Sequence, residues 1–230
     1  MIMILPNRPF ERVAPSREAR TVYIFCEGIR REFDYFKYFV EFDSRIKVEV
    51  HKLDPHDNNS PLGLLKIAEK YIIGDDENSN PLYNFEDDDQ VWIVLDVDND
   101  IYNSREPQIE QVRCECLKRK NWFLTISNPC FEVWLYYHVN AVKPVELSNR
   151  GDHWKQLVDS TIPGGFDSRK HPLLIETACE NAKNNFLLKE NMPDLGCTEV
   201  YNLANSILPL VGDKLRRELR KLGMVIRSTT

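Results

Sequence analysis

The sequence predicts an α/β fold: a central, mainly parallel four-stranded sheet flanked by helices, followed by a helical C-terminal extension. Four short apolar runs rich in β-favouring residues alternate with segments of helical periodicity. Continuous hydrophobic strands separated by helices are typical of a parallel sheet that is covered on both faces. The 230 residues are 42% apolar and 10% aromatic, which is enough to build a sizeable core.

The first half of this sheet is predicted from two strand–helix units. TVYIF at 21–25 is a buried strand that ends at Cys26, and apolar residues at helical spacing predict a helix over about 31–42. A second strand covers 46–53. PLGLLKIAEKYII at 61–73 combines a proline near its start with apolar residues at helical spacing, which predicts the second helix.

The second half follows an acidic loop. VWIVL at 91–95 has the strongest strand pattern, a helix is predicted over about 105–120, and WFLTI at 122–126 is the fourth strand. Asn128 and Pro129 then predict the start of another helix, with asparagine as the N-cap and proline at the first helical position.

The domain boundaries follow from where these patterns begin and end. Residues 1–20 contain proline and arginine without a clear period and predict an N-terminal arm. Residues 21–140 hold the strand–helix units and predict one α/β domain. Residues 141–230 are helical in pattern, with turns at 163–165 and near 193–196, and predict the helical extension.

Several classes of protein are excluded by composition. No run approaches the roughly 18 apolar residues of a membrane span, and Pro6 interrupts an N-terminal segment that has no signal-peptide pattern. The six cysteines include no CxxC pair, and no histidine motif suggests zinc. Thiols scattered through apolar segments fit a reducing compartment. We therefore expect a cytoplasmic protein without a membrane partner.

The net charge of −6 is unevenly distributed. Residues 75–100 carry many carboxylates and no lysine or arginine, so the rest of the chain is slightly basic. This distribution permits a polyanion-binding surface, provided that divalent cations neutralise the acidic cluster.

Acidic residues follow three of the predicted strands. Glu27 follows the first strand, Asp96 and Asp98 follow the third, and Glu132 lies one turn into the helix after the fourth. The carboxyl ends of parallel strands share one sheet edge, where ligands bind in open α/β folds. Carboxylates are the ligands that Mg²⁺ prefers, so this edge is a candidate metal site.

Each signal also has a structural interpretation. Aspartates at strand ends often form turns or cap the next helix, and Glu132 complements a helix dipole. His138 shares a helical face with aromatic residues and is predicted to be a packed core histidine. The basic residues at 214–221 have the pattern of a solvated helix face.

The combination of motifs is more specific. A strand ending in Glu-Gly, followed later by a strand ending in Asp-x-Asp, resembles the TOPRIM domain of topoisomerases, primases and OLD-type nucleases. CEGIRREFDYF at 26–36, LDVDND at 95–100 and SNPCFEVWLYYH at 127–138 resemble the RloB-like (AbiLii-type) family of bacterial antiphage defence proteins. Ile29 stands where that family usually has a second glutamate, and Arg31 replaces its threonine.

This resemblance implies that residues 21–140 form a TOPRIM-like catalytic domain with a Rossmannoid fold, and that the protein is a Mg²⁺- or Mn²⁺-dependent nuclease. The substrate would be DNA or a structured RNA such as tRNA, and the enzyme would act as a toxic effector in antiphage defence with an ABC/SMC-like ATPase partner. A homodimer is a further expectation. The expected catalytic and metal-binding residues are Glu27, Asp96 and Asp98, with Asp100 as a further metal ligand and Glu32 and Glu132 in support. The expected nucleic-acid-binding residues are Arg30, Arg31, Arg216, Arg217 and Arg220.

Two other functions remain open at this point. One is a non-catalytic TOPRIM-like module that binds and regulates its ATPase partner. The other is a HAD-type phosphatase, because VWIVLDVDND resembles the first motif of that family, in which the first aspartate is the nucleophile. In that motif, Asn99 stands where threonine or valine is usual.

Overall fold

A computed structural model describes residues 10–74, 80–97 and 102–223 of the chain. Its helices and strands alternate through the first 136 residues, and the later part is mainly helical. The elements in chain order are β1 (Arg20–Cys26), α1 (Arg31–Lys37), β2 (Ile46–His51), α2 (Pro61–Ile72), β3 (Gln90–Asp96), α3 (Tyr102–Leu117), β4 (Trp122–Asn128), α4 (Glu132–Tyr136), α5 (Gly151–Thr161), a 3₁₀ turn (His171–Leu174), α6 (Ile175–Asn184), β5 (Leu188–Lys189), β6 (Met192–Pro193), β7 (Cys197–Thr198) and α7 (Val200–Lys221).

The central sheet has the strand order β2-β1-β3-β4-β7. The four predicted strands are present and run parallel, which confirms the α/β class. The predicted count of four is wrong by one, because β7 joins the sheet antiparallel to β4, with Cys197 opposite Asn128. A strand of two residues is too short to show an apolar pattern in the sequence. A separate hairpin pairs β5 with β6.

Alternate residues of each strand supply the cores on the two faces of the sheet. Val22 and Ile24 face one core, which contains α1, α4, α5, α6 and α7. Tyr23 and Phe25 face the other, which contains α2 and α3. Both faces are thus covered, as the uninterrupted apolar strands predict.

The segment after β4 corrects one prediction. Asn128 does not cap a helix, because it stays in β4, pairs with Cys197 and donates its side-chain amide to the carbonyl of Pro193 at 2.7 Å. The Asn128–Pro129 peptide bond is cis, and α4 begins only at Glu132.

The other boundaries differ by a few residues. α1 ends at Lys37 instead of near 42, since the next residues form tight turns such as Phe39 N–H to the carbonyl of Phe36 at 3.0 Å. α3 begins and ends about three residues before its predicted limits. Within the part of the chain that the structure describes, no helix combines the length and apolar character needed to cross a bilayer.

Candidate active site

Two of the predicted acidic residues lie side by side because β1 and β3 are neighbours in the sheet. Glu27 directly follows β1, and its N–H donates to the carbonyl of Val94 in β3 at 3.2 Å. Asp96 is the last residue of β3, and its N–H donates to Oε2 of Glu27 at 3.4 Å. The predicted convergence of strand ends therefore places these two residues in direct contact.

The first turns of two helices bring two more carboxylates to the same edge. Glu32 lies in α1 and Glu132 opens α4, and their exposed fractions are only 8% and 5%. The carboxylate of Glu32 lies over the backbone of Gly28, where a Cβ atom would be 1.8 Å from Oε2 of Glu32. A side chain at position 28 would therefore displace this carboxylate.

These four carboxylates line one cavity of about 380 Å³. Two basic side chains and the amino terminus of α5 also line this cavity. The lining residues are Glu27, Arg31, Glu32, Asp96, Pro129, Cys130, Glu132, Asn149, Gly151 and Lys155. The cavity therefore combines four carboxylates with two cations.

Arginines partly offset the acidic charge. Nη2 of Arg105 in α3 lies 2.5 Å from Oε2 of Glu27 and donates to the carbonyl of Asp96 at 3.1 Å. The Arg105 side chain is 7% exposed, and its Nε has no hydrogen-bond partner among the residues that the structure describes. Arg31 lies 3.4 Å from Glu132. Arg105 thus ties Glu27 to the end of β3.

Burial and mutual repulsion govern protonation in this cluster. Burial, followed by the charges of Glu132 and Glu27, raises the pKa of Glu32 to about 7. Burial and then the charges of Glu32, Glu27 and Glu132 raise the pKa of Asp96 well above its usual range. Burial also raises the pKa of Cys130, so its thiol stays protonated. Carboxylates that raise each other's pKa favour binding of a cation between them.

The chemistry of the donors fits a hard divalent cation, because all four are carboxylates. In residues 10–74, 80–97 and 102–223, however, no three histidine, cysteine or acidic side chains are grouped closely enough to hold an ion. Asp98 and Asp100 lie outside the described residues. Metal binding would therefore require either movement of the described carboxylates or a contribution from Asp98.

The structure separates the predicted basic residues into two groups. Arg31 lines the acidic cavity and Arg30 lies beside it. Arg216, Arg217 and Arg220 instead lie near the C-terminal end of α7, about 24 Å or more along the helix axis from its start beside β7.

The later part of α7 lies near the amino end of β2, whereas the acidic cavity lies at the carboxyl ends of β1 and β3. Arg45, just before β2, contacts the carbonyl of Leu210, and Lys214 donates to the carbonyl of Glu11 at 3.1 Å. Arg216 is paired with Glu176 and Asp213 at 2.8 Å each. The two groups of arginines therefore do not form one continuous surface around the cavity.

Two further outcomes concern residues near the site. His138 is a packed core histidine as predicted: Nδ1 lies 3.0 Å from the carbonyl of Trp134, and burial lowers its pKa to about 3. The sequence reasoning missed Arg105 and Lys155. Neither belongs to a motif, and α3 has no amphipathic pattern that would have marked Arg105 as buried. Cys130 lay within a recognised motif but was not assigned to the site.

Comparison with known proteins supports the family resemblance. A protein-family model described as RloB-like protein matches residues 22–207. This match spans the sheet, the acidic cavity and most of the helical part, so the chain belongs to the RloB-like family. No curated protein and no solved structure matches the chain.

Proposed function

We propose that this RloB-like protein is a divalent-metal-dependent nuclease that acts as the toxic effector of an antiphage defence system with an ABC/SMC-like ATPase. One observation carries the nuclease proposal: Glu27, Glu32, Asp96 and Glu132 line one cavity together with Arg31 and Lys155. The carboxylates suit Mg²⁺ or Mn²⁺, and the two cations suit a phosphodiester.

Arg31, Lys155 and the amino terminus of α5 would bind the substrate phosphate in this proposal. Arg31 and Lys155 present positive charge, and Gly151 places the first turn of α5 at the cavity. The N–H groups of a helix amino terminus favour anions, so all three features attract the same group. Their side chains and N–H groups would orient the scissile phosphate toward the carboxylates.

The carboxylates of the cavity would bind the metal and transfer the proton. Asp96, Glu32 and Glu132, together with Asp98 as predicted from the sequence, would hold the metal. When bound, a divalent cation supplies charge stabilisation for the phosphate and lowers the pKa of a bound water. Glu27, which pairs with Arg105 at 2.5 Å, would accept a proton from the attacking water.

The test is incubation of the purified protein with total RNA and with plasmid, in Mg²⁺, Mn²⁺ or EDTA, with and without a candidate ATPase. We expect metal-dependent cleavage that is lost in Asp96→Asn and in Glu27→Gln. Glu110→Gln is the matched control, because Glu110 lies on α3 and pairs with Arg113 at 3.3 Å. Cleavage that persists in Asp96→Asn would remove the site from this cavity.

A non-catalytic module that regulates the ATPase is the second candidate. The engagement of Glu27 by Arg105 favours it, as does the finding that no three described side chains are grouped to hold an ion. This function predicts no cleavage under any condition and no change in melting temperature with Mn²⁺. It also predicts that the ATPase rate changes when the protein is added.

A further inference from the structure

A second, smaller cavity of about 180 Å³ lies beside the acidic one. Arg31 lines both cavities, so they share a wall. Arg30 and Asp34 of the α1 segment lie on one side of the smaller cavity, and Asp159 and Phe166 line it from the chain around the end of α5. A group held in the smaller cavity is therefore next to whatever occupies the acidic one.

The ring of Phe166 is held in place by other aromatic rings. It is half-buried, and its centroid lies 5.1 Å from that of His138 and 5.2 Å from that of His171, both of which are buried. Asp167 also binds Arg169 through both carboxylate oxygens, at 2.8 and 2.9 Å, which orders the chain just after the ring. Phe166 is thus a fixed aromatic ring in a cavity that Leu135 and polar side chains also line.

The rest of the lining suits a nucleotide. Arg30 and Arg31 are consecutive cations that match backbone phosphates. Asp34 and Asp159 present carboxylates, which accept hydrogen bonds from the exocyclic amino groups of bases. A flat ring beside arginines is the arrangement on which single-stranded nucleic acids stack their bases.

A single base is the occupant that this cavity suits. Its volume of about 180 Å³ leaves room for one planar ring system beside Phe166. A base inside a duplex is stacked on both faces and reaches such a cavity only after it is flipped out.

We propose that the Phe166 cavity binds one unpaired nucleotide adjacent to the scissile phosphate, so that the protein selects single-stranded or looped nucleic acid over continuous duplex. The inference rests on the proposed function only in assigning the neighbouring phosphate to the acidic cavity. Binding to the Phe166 cavity is tested separately from cleavage.

The experiment measures fluorescence anisotropy of labelled short oligonucleotides with the full chain in Ca²⁺, and gels verify that the probes stay intact. Each sequence is used as a single strand and as a duplex, in RNA and DNA forms. We expect the single strand of at least one form to bind tenfold or more tightly than its duplex. Phe166→Leu should weaken single-strand binding by about 5- to 100-fold, the range for loss of one base–aromatic stack.

Two further variants serve as controls. Phe166→Tyr keeps the ring and should bind like the wild type, which separates stacking from a folding defect. Phe123→Leu changes a half-buried phenylalanine that stacks on Trp92 at 4.6 Å, at the amino end of β4 away from the cavity, and should leave binding unchanged. Duplex binding equal to that of single strands overturns the proposal, as does wild-type affinity in Phe166→Leu.

Failure of this inference is distinguishable from failure of the nuclease proposal. Stacking-dependent single-strand binding without cleavage in Mn²⁺ would refute the nuclease and retain the Phe166 cavity. Metal-dependent cleavage of duplex, together with binding that Phe166→Leu does not change, would support the nuclease and refute the role of the Phe166 cavity.

Discussion

Replacing Arg105 by methionine tests the ion pair that links α3 to the end of β1. Arg105 and Glu27 are 7% and 16% exposed at their side chains, and their closest atoms lie 2.5 Å apart. Methionine keeps much of the apolar stem but leaves the Glu27 carboxylate without its arginine. Removal of one partner from a buried pair costs about 3–5 kcal/mol. Because Glu27 retains some exposure, we expect a loss of about 3 kcal/mol in the free energy of unfolding.

Urea denaturation of the full chain in EDTA at neutral pH measures this loss. Arg169→Met is the matched control, since Arg169 pairs with Asp167 at 2.8 Å but its side chain is 53% exposed. An exposed pair contributes about 0–1 kcal/mol, so the control should remain close to wild type.

A double-mutant cycle then isolates the pair. Glu27→Gln should cost stability alone, and much less in the Arg105→Met background, with a coupling energy of about 1–3 kcal/mol. A coupling energy near zero would refute the argument, as would a loss in Arg105→Met no greater than in the Arg169→Met control.

Three other predictions concern the carboxylates. We expect Mg²⁺ or Mn²⁺ to raise the melting temperature of the wild type and to raise that of Asp96→Asn less; equal rises in thermal scans would place the metal elsewhere. Gly28→Ala should displace the Glu32 carboxylate, because the added Cβ would lie 1.8 Å from Oε2 of Glu32. The metal-induced rise in melting temperature and the free energy of unfolding in urea should both decrease, and unchanged values would contradict this expectation. Burial raises the pKa of Glu199 from 4.5 to about 7, so the native state binds the proton more tightly and wild-type stability falls as pH rises from about 4.5 to 7. Glu199 accepts a hydrogen bond from the N–H of Ile126 at 3.1 Å, which the amide oxygen of Glu199→Gln can also accept. In urea, the free energy of unfolding of Glu199→Gln should exceed that of the wild type by up to about 3 kcal/mol at pH 8 and by almost nothing at pH 4. An equal difference at both pH values would exclude titration of Glu199 as the cause.

The sequence predicts the sheet because its strands are apolar throughout. VWIVL and TVYIF are buried on both faces of the sheet, as their uninterrupted apolar residues predict. The contact of Glu27 with Asp96 follows from the same reasoning, since adjacent parallel strands end at one edge. β7 escapes prediction because its two residues gain their conformation from pairing with β4, not from local preference.

The remaining parts of the site depend on contacts between distant segments. Arg105 reaches Glu27 across 78 positions of sequence, and no local pattern marks an arginine that will be buried. Lys155 belongs to none of the recognised motifs, so its place in the cavity with the carboxylates emerges from packing. Asn128 fits the N-cap preference, yet the pairing with Cys197 prevails.

The antiparallel pairing of β4 with β7 affects when the chain can complete its native sheet during synthesis. Ser127 pairs with Thr198 and also exchanges a side-chain hydroxyl contact with it at 2.8 Å, across 71 positions. Until the ribosome has released that later segment, β4 presents an open edge right beside the carboxylates. Such long-range pairing is slow to form, and exposed edges invite association with other chains. A nascent chain therefore carries all four carboxylates before β7 is available to cover the edge of β4.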